Sequence, residues 1–133
     1  MIYALDTNII SYVLNGNTAI AEKLTAVTKA GNKVIIPLLA YHGVRRGLLN
    51  DNAVKKMGLF DRLCSRLNVD GLTAKDMDAA AAIYDRRKRI GAIVDDADIL
   101  IAAQCINNNC TLITNNVRHF KNSDGLIYEN WME

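Results

Sequence analysis

With 133 residues, half of them hydrophobic and only one a proline, the chain has the size and composition of a single globular domain, residues 1–133, which excludes a disordered or linker-rich protein. A formal net charge of +2 is too small to signal nucleic-acid binding by itself. No apolar run approaches the ~20 residues that span a bilayer, and the opening Met1-Ile2-Tyr3-Ala4-Leu5-Asp6 has no basic n-region, so the expectation is a soluble cytoplasmic protein with no membrane partner.

Taken in chain order, Ile2–Leu5 is a short apolar run ending at Asp6 and reads as a buried strand. Asp6-Thr7-Asn8 supplies caps for a helix to about Leu14. Asn15-Gly16-Asn17 is a turn, and Thr18 is expected to cap a helix over Ala19–Ala30 that Gly31 ends. Val34-Ile35-Ile36 is a second strand, closed by Pro37; a helix from Leu38 to about Leu49 follows. Asn50-Asp51-Asn52 separates it from a helix over Ala53–Leu67. Val69–Leu72 reads as a strand, and Thr73-Ala74-Lys75-Asp76 as a capping box opening a helix to Arg89 that stops at Gly91. An apolar helix starts at Asp95 or Asp96 and runs to Ile106, before a loop at Asn107–Asn109. Thr111–Thr114 is a strand ending in Asn115-Asn116, and a last strand lies near Leu126–Tyr128. Short unalternated strands between helices predict an α/β fold with a parallel sheet covered on both faces.

The three cysteines, Cys64, Cys105 and Cys110, are odd in number and lack CxxC spacing, which argues against disulfides and structural zinc. Arg45-Arg46 and Arg86-Arg87-Lys88-Arg89 are basic clusters that either form solvated helix faces or approach a phosphate backbone.

Ligands of open α/β sheets bind beyond the carboxyl ends of the strands. Asp6 and Asn115-Asn116 stand at two such ends, and Asp98 lies in the first turn of an otherwise apolar helix. Each acid alone has an ordinary role, as an N-cap or a partner of the helix dipole. Together they offer oxygen ligands for Mg2+, which takes one or two carboxylates and completes its shell with water, while Asn116 can orient a metal-bound group.

Three ordered segments, Leu5-Asp6-Thr7-Asn8-Ile9-Ile10, Asp98-Ile99-Leu100-Ile101-Ala102-Ala103 and Leu112-Ile113-Thr114-Asn115-Asn116 through Phe120, Gly125-Leu126 and Asn130-Trp131, resemble the PIN-domain family and, within it, VapC-type toxins of bacterial toxin–antitoxin pairs. The resemblance covers nearly the whole chain. It implies a three-layer PIN-like fold and metal-dependent RNA cleavage, with Asp6 and Asp98 as metal-binding carboxylates for Mg2+ or Mn2+ and Asn116 at a position acidic in many members. It also implies a cognate antitoxin and a homodimer. An antitoxin arginine set among the carboxylates is a physically reasonable inhibitor. His119, near a position acidic in some members, reads as a surface or capping residue.

One departure stands out. Where the family shows glutamate in a Glu-Leu/Val-x-x-Gly pattern, this chain has Gly43-Val44-Arg45-Arg46-Gly47. A glycine within a helix costs roughly 1 kcal/mol against alanine, so Gly43 is read as standing at a catalytic position that has lost its acid; the alternative is a helix glycine needed for close packing. Two other functions stay open: a catalytically inactive PIN-derived module that binds RNA or protein, and a phospho-acceptor domain using Asp6. The second lacks a lysine after the late strand.

Overall fold

The computed structural model describes residues 1–92 and 95–132. Five strands, β1 (Ile2–Leu5), β2 (Lys33–Pro37), β3 (Asn68–Asp70), β4 (Cys110–Ile113) and β5 (Ile127–Glu129), form one sheet in the order β3-β2-β1-β4-β5. Every pairing is parallel. Among the described residues seven helices flank the sheet: α1 (Thr7–Leu14), α2 (Thr18–Lys29), α3 (Leu38–Asn50), α4 (Val54–Arg66), α5 (Ala74–Arg89), α6 (Asp96–Asn107) and α7 (Val117–Phe120). The expected α/β architecture is therefore the one observed.

Parallel strands covered by helices need apolar side chains on both faces. β4 is buried at every position and β2 at all but Lys33. Leu5, Ile35, Ile36, Leu112 and Ile113 join Ile9, Ile10, Phe60 and Phe120 in one core. The edge strands β3 and β5 are short and more exposed.

The local chemistry sets the helix ends. Asp6 caps α1 by accepting from the Thr7 amide at 2.8 Å. At α2 the expected cap is displaced by one residue: Asn17 accepts from the Ile20 amide at 3.1 Å, and Thr18 is already helical. The reciprocal capping box of Thr73 and Asp76 is formed at α5. Gly31 and Gly91 follow α2 and α5 with φ of +87° and +70°, the left-handed backbone that glycine adopts freely. α6 continues through Asn107, one residue past its expected end. The four-residue α7 is too short to leave a helical period in the sequence.

All three cysteines are free, with Cys105 and Cys110 buried. Burial pushes both thiols upward. Both act as small buried hydrophobes.

Candidate active site

The first two helical crossings carry the chain outward from β1 to β2 and β3; the next carries it back across to β4 on the other side of β1. The order of strands thus reverses at the β1–β4 junction, the point at which open parallel sheets leave a crevice. Asp6 ends β1 there, its amide donating to the Ile113 carbonyl at 2.9 Å. Its side chain is 3 % exposed. Asp6 Oδ2 accepts from the Thr114 hydroxyl at 2.7 Å and from Asn8 Nδ2 at 3.4 Å, while Oδ1 accepts from the Thr7 amide. Thr114 Oγ1 in turn accepts from the Asn116 amide at 2.9 Å. One hydroxyl therefore joins the carboxylate to the start of α7.

Asp98 enters from the first turn of α6, and its Oδ2 lies 3.0 Å from His119 Nδ1 on α7. Among the described residues its Oδ1 has no hydrogen-bond partner. Burial raises both carboxyls above their ordinary range. The charge of Asp6 pushes Asp98 up further, and His119 acts in the opposite sense on each. The two carboxylates are thus both partly desolvated, and the charge of one is felt by the other.

Of the two asparagines after β4, the first is structural. The Asn115 amide donates to Asn8 Oδ1, its Nδ2 to the Tyr12 hydroxyl, and its Oδ1 accepts from Asn130 Nδ2, each at 3.0 Å. The Asn116 side chain is exposed beside the site and has no capping bond to α7. His119, expected as a surface or capping group, is 40 % exposed at its side chain and also meets Asp98. Thr114 and His119 are the members that sequence reasoning passed over. The place of His119 one helical turn past the Thr-Asn-Asn strand end was the available signal.

Three of the six residues in the basic clusters have partners elsewhere. Arg45 pairs with Asp61 and lies over the rings of Tyr41 and Phe60. Arg89 pairs with Asp85. Arg87 is buried, and its guanidinium donates to the Ala92 carbonyl at 3.2 Å, the His119 carbonyl at 3.0 Å and Ser123 Oγ at 2.7 Å. Arg45 and Arg87 are thus withdrawn from any phosphate-contacting role. The spacing Asp76, Ala80, Ile83, Arg87 places Arg87 on the buried stripe of α5, a pattern visible in the sequence.

The PIN domain model matches residues 3–126. The ribonuclease VapC2 of Rickettsia felis is 32% identical over 138 residues, covering 98% of both chains. The ribonuclease VapC1 of Haemophilus influenzae is 24% identical over 132 residues, again with 98% of each covered. The chain belongs to the PIN-domain family, on its VapC side. Among solved structures, the Rickettsia felis VapBC2 complex bound to a promoter DNA fragment superposes with a TM-score of 0.92 at 30% identity, covering 98% of this chain and 99% of that one. VapBC-1 from nontypeable Haemophilus influenzae gives 0.88 at 25% identity, with both chains covered completely.

For a PIN domain, position 43 is informative. A Cβ built on Gly43 would lie 3.1 Å from Thr7 Oγ1 and 3.4 Å from Thr7 Cγ2. Position 43 therefore opens onto the residue that follows Asp6 and whose amide holds its carboxylate. A side chain there starts beside the site, and Thr7 must yield by a few tenths of an ångström to admit it. Gly43 has an ordinary helical backbone, so no left-handed turn requires it.

The donor chemistry fits a hydrated hard cation. Asp6 and Asp98 are oxygen donors with lone pairs to spare, and mutual repulsion between desolvated carboxylates is relieved by a divalent charge. Among the described residues no group of three His, Cys, Asp or Glu is arranged to hold a metal. The pair suits an ion that keeps most of its water rather than an all-protein cage.

Proposed function

We propose that this chain is an endoribonuclease of the VapC type, the toxin of a toxin–antitoxin pair, in a form impaired by glycine at position 43. The observation that supports this reading best is the charge coupling of Asp6 with Asp98 where the strand order reverses, with position 43 lying against Thr7, the residue after Asp6. It is supported by kinship over nearly the whole chain with proteins named ribonuclease VapC. The neighbouring VapBC complexes support a cognate antitoxin as partner. A homodimer and a single nuclease domain over residues 1–133 belong to the same reading.

Asp6 and Asp98 would hold Mg2+ or Mn2+, which when bound supplies an acidified water and offsets charge on the phosphate. Thr114, Thr7 and Asn8 hold the Asp6 carboxylate in one orientation. His119 does the same for Asp98, with Nδ1 as the protonated ring nitrogen when the carboxylate is ionised. The exposed Asn116 amide is placed to orient the scissile phosphate or a water beside it. With no acid at 43, this chain offers two carboxylates where the family pattern has more.

The test is cleavage of total RNA with Mg2+ or Mn2+ by this chain beside Gly43→Glu. Cutting by the Glu variant alone establishes the nuclease and assigns the impairment to position 43. The close seat of Gly43 on Thr7 favours one second reading, a PIN-derived binding module packed around glycine. Silence from both folded proteins across a broad RNA pool would support it.

A further inference from the structure

A buried guanidinium normally faces a carboxylate, because an unpaired charge is costly to desolvate. Arg87 does not: among the described residues it forms no salt bridge, it is 3 % exposed, and its Nε has no hydrogen-bond partner. Its other nitrogens are directed at two separate segments. Nη1 donates to the carbonyl of Ala92, which follows the end of α5 and precedes α6. Nη2 donates to the carbonyl of His119 and to the hydroxyl of Ser123, at either end of the turn that closes α7. The Ala92 amide also returns to the Arg87 carbonyl at 2.9 Å, so this residue is bound from both sides.

We propose that Arg87 is a positioning residue for the carboxylate site, tying the C-terminal end of α5, the helix packed against α6, to α7, which carries His119. The 3.0 Å contact between Asp98 and His119 joins α6 to α7, and Arg87 holds α7 from behind through the His119 carbonyl. Lysine cannot replace it, since a single ammonium lacks the planar fork that reaches two segments at once. As a stability device the arrangement is poor: apolar replacements of buried charges are often neutral or stabilising. Its value is geometric. The inference rests on the reading of Asp6 and Asp98 as a metal site, but its first readout does not.

The experiment uses the intact chain. His119 Nδ1 is followed by 15N NMR, with the exposed His42, the other histidine, as internal reference. Arg87→Leu is expected to fold and to lose the hydrogen-bonded signature of Nδ1. Arg87→Lys is expected to lose it too, and serves alone if the Leu variant does not fold. Mn2+ binding, read by electron paramagnetic resonance, is expected to weaken about 10-fold, the low end for a group outside the ligand set. An unchanged Nδ1 resonance overturns the proposal, as does full recovery in the Lys variant or unchanged Mn2+ affinity where the parent binds. A parent that binds no Mn2+ refutes the metal reading instead, and the Nδ1 resonance still decides the role of Arg87.

Discussion

Most of the hydrogen-bonding capacity of Asp6 is directed into its own fold: Thr7, Asn8 and Thr114 all donate to it. Thr114→Val keeps the shape and removes the hydroxyl, leaving Asp6 Oδ2 and the Asn116 amide short of a partner. Urea denaturation should show a loss of about 1–3 kcal/mol, and a Mn2+ titration an affinity lower by roughly 10-fold. A second acid behaves differently. Burial pushes Asp76 upward, but bonds from Thr73, Asn107 and Asn108 outweigh it, and the carboxyl sits below its ordinary 3.8. Its stabilisation is therefore complete above that unfolded value and is lost as pH falls through the folded one. Asp76→Asn should cost about 1–2 kcal/mol at neutral pH. That cost should vanish in unfolding curves taken below the folded value. At this scale the positions of Asp6, Asp98 and Asn116 at strand ends and a helix start were legible, because those boundaries are marked by composition. The partners of His119 and Arg87 were not legible, because they depend on which neighbour a long side chain meets.

Strands and long helices were legible because each has a run of apolar residues at its own period, and α1, α2 and α5 also carry a side-chain cap. The short α7 and the exact cap of α2 were not, since neither has enough length for its pattern to exclude the adjacent choice. α3 and α4 illustrate how an apparent surface charge becomes part of packing. Arg45 lies 5.0 Å from the Tyr41 ring centre and 5.4 Å from that of Phe60, which is fully buried and 5.6 Å from Tyr41. Phe60→Ala removes the ring common to these contacts. It should lower stability by about 3–5 kcal/mol, measurable by thermal melting, with the sheet core otherwise intact.

Across the whole molecule the thiols form a graded record of unfolding. Cys64 is partly exposed, whereas Cys105 and Cys110 are enclosed. Labelling followed by mass spectrometry should modify Cys64 first, and the other two only at the rate of global opening. Modification of all three at one rate would contradict the described core. No helix among the described residues is long and apolar enough to cross a membrane.

The bond between Thr114 and Asp6 joins residues 108 positions apart. β1 occupies the middle of the sheet, yet one of its two neighbours arrives only with Cys110–Ile113. Contacts so distant in sequence close late, because the entropy of a long loop must be overcome before they form. On a growing polypeptide, β1 and β2 have each other from the start, but Asp6 waits for nearly the entire chain to be synthesised. The hydrogen bond that fixes the Asp6 carboxylate to the end of β4 therefore cannot form until translation is almost over.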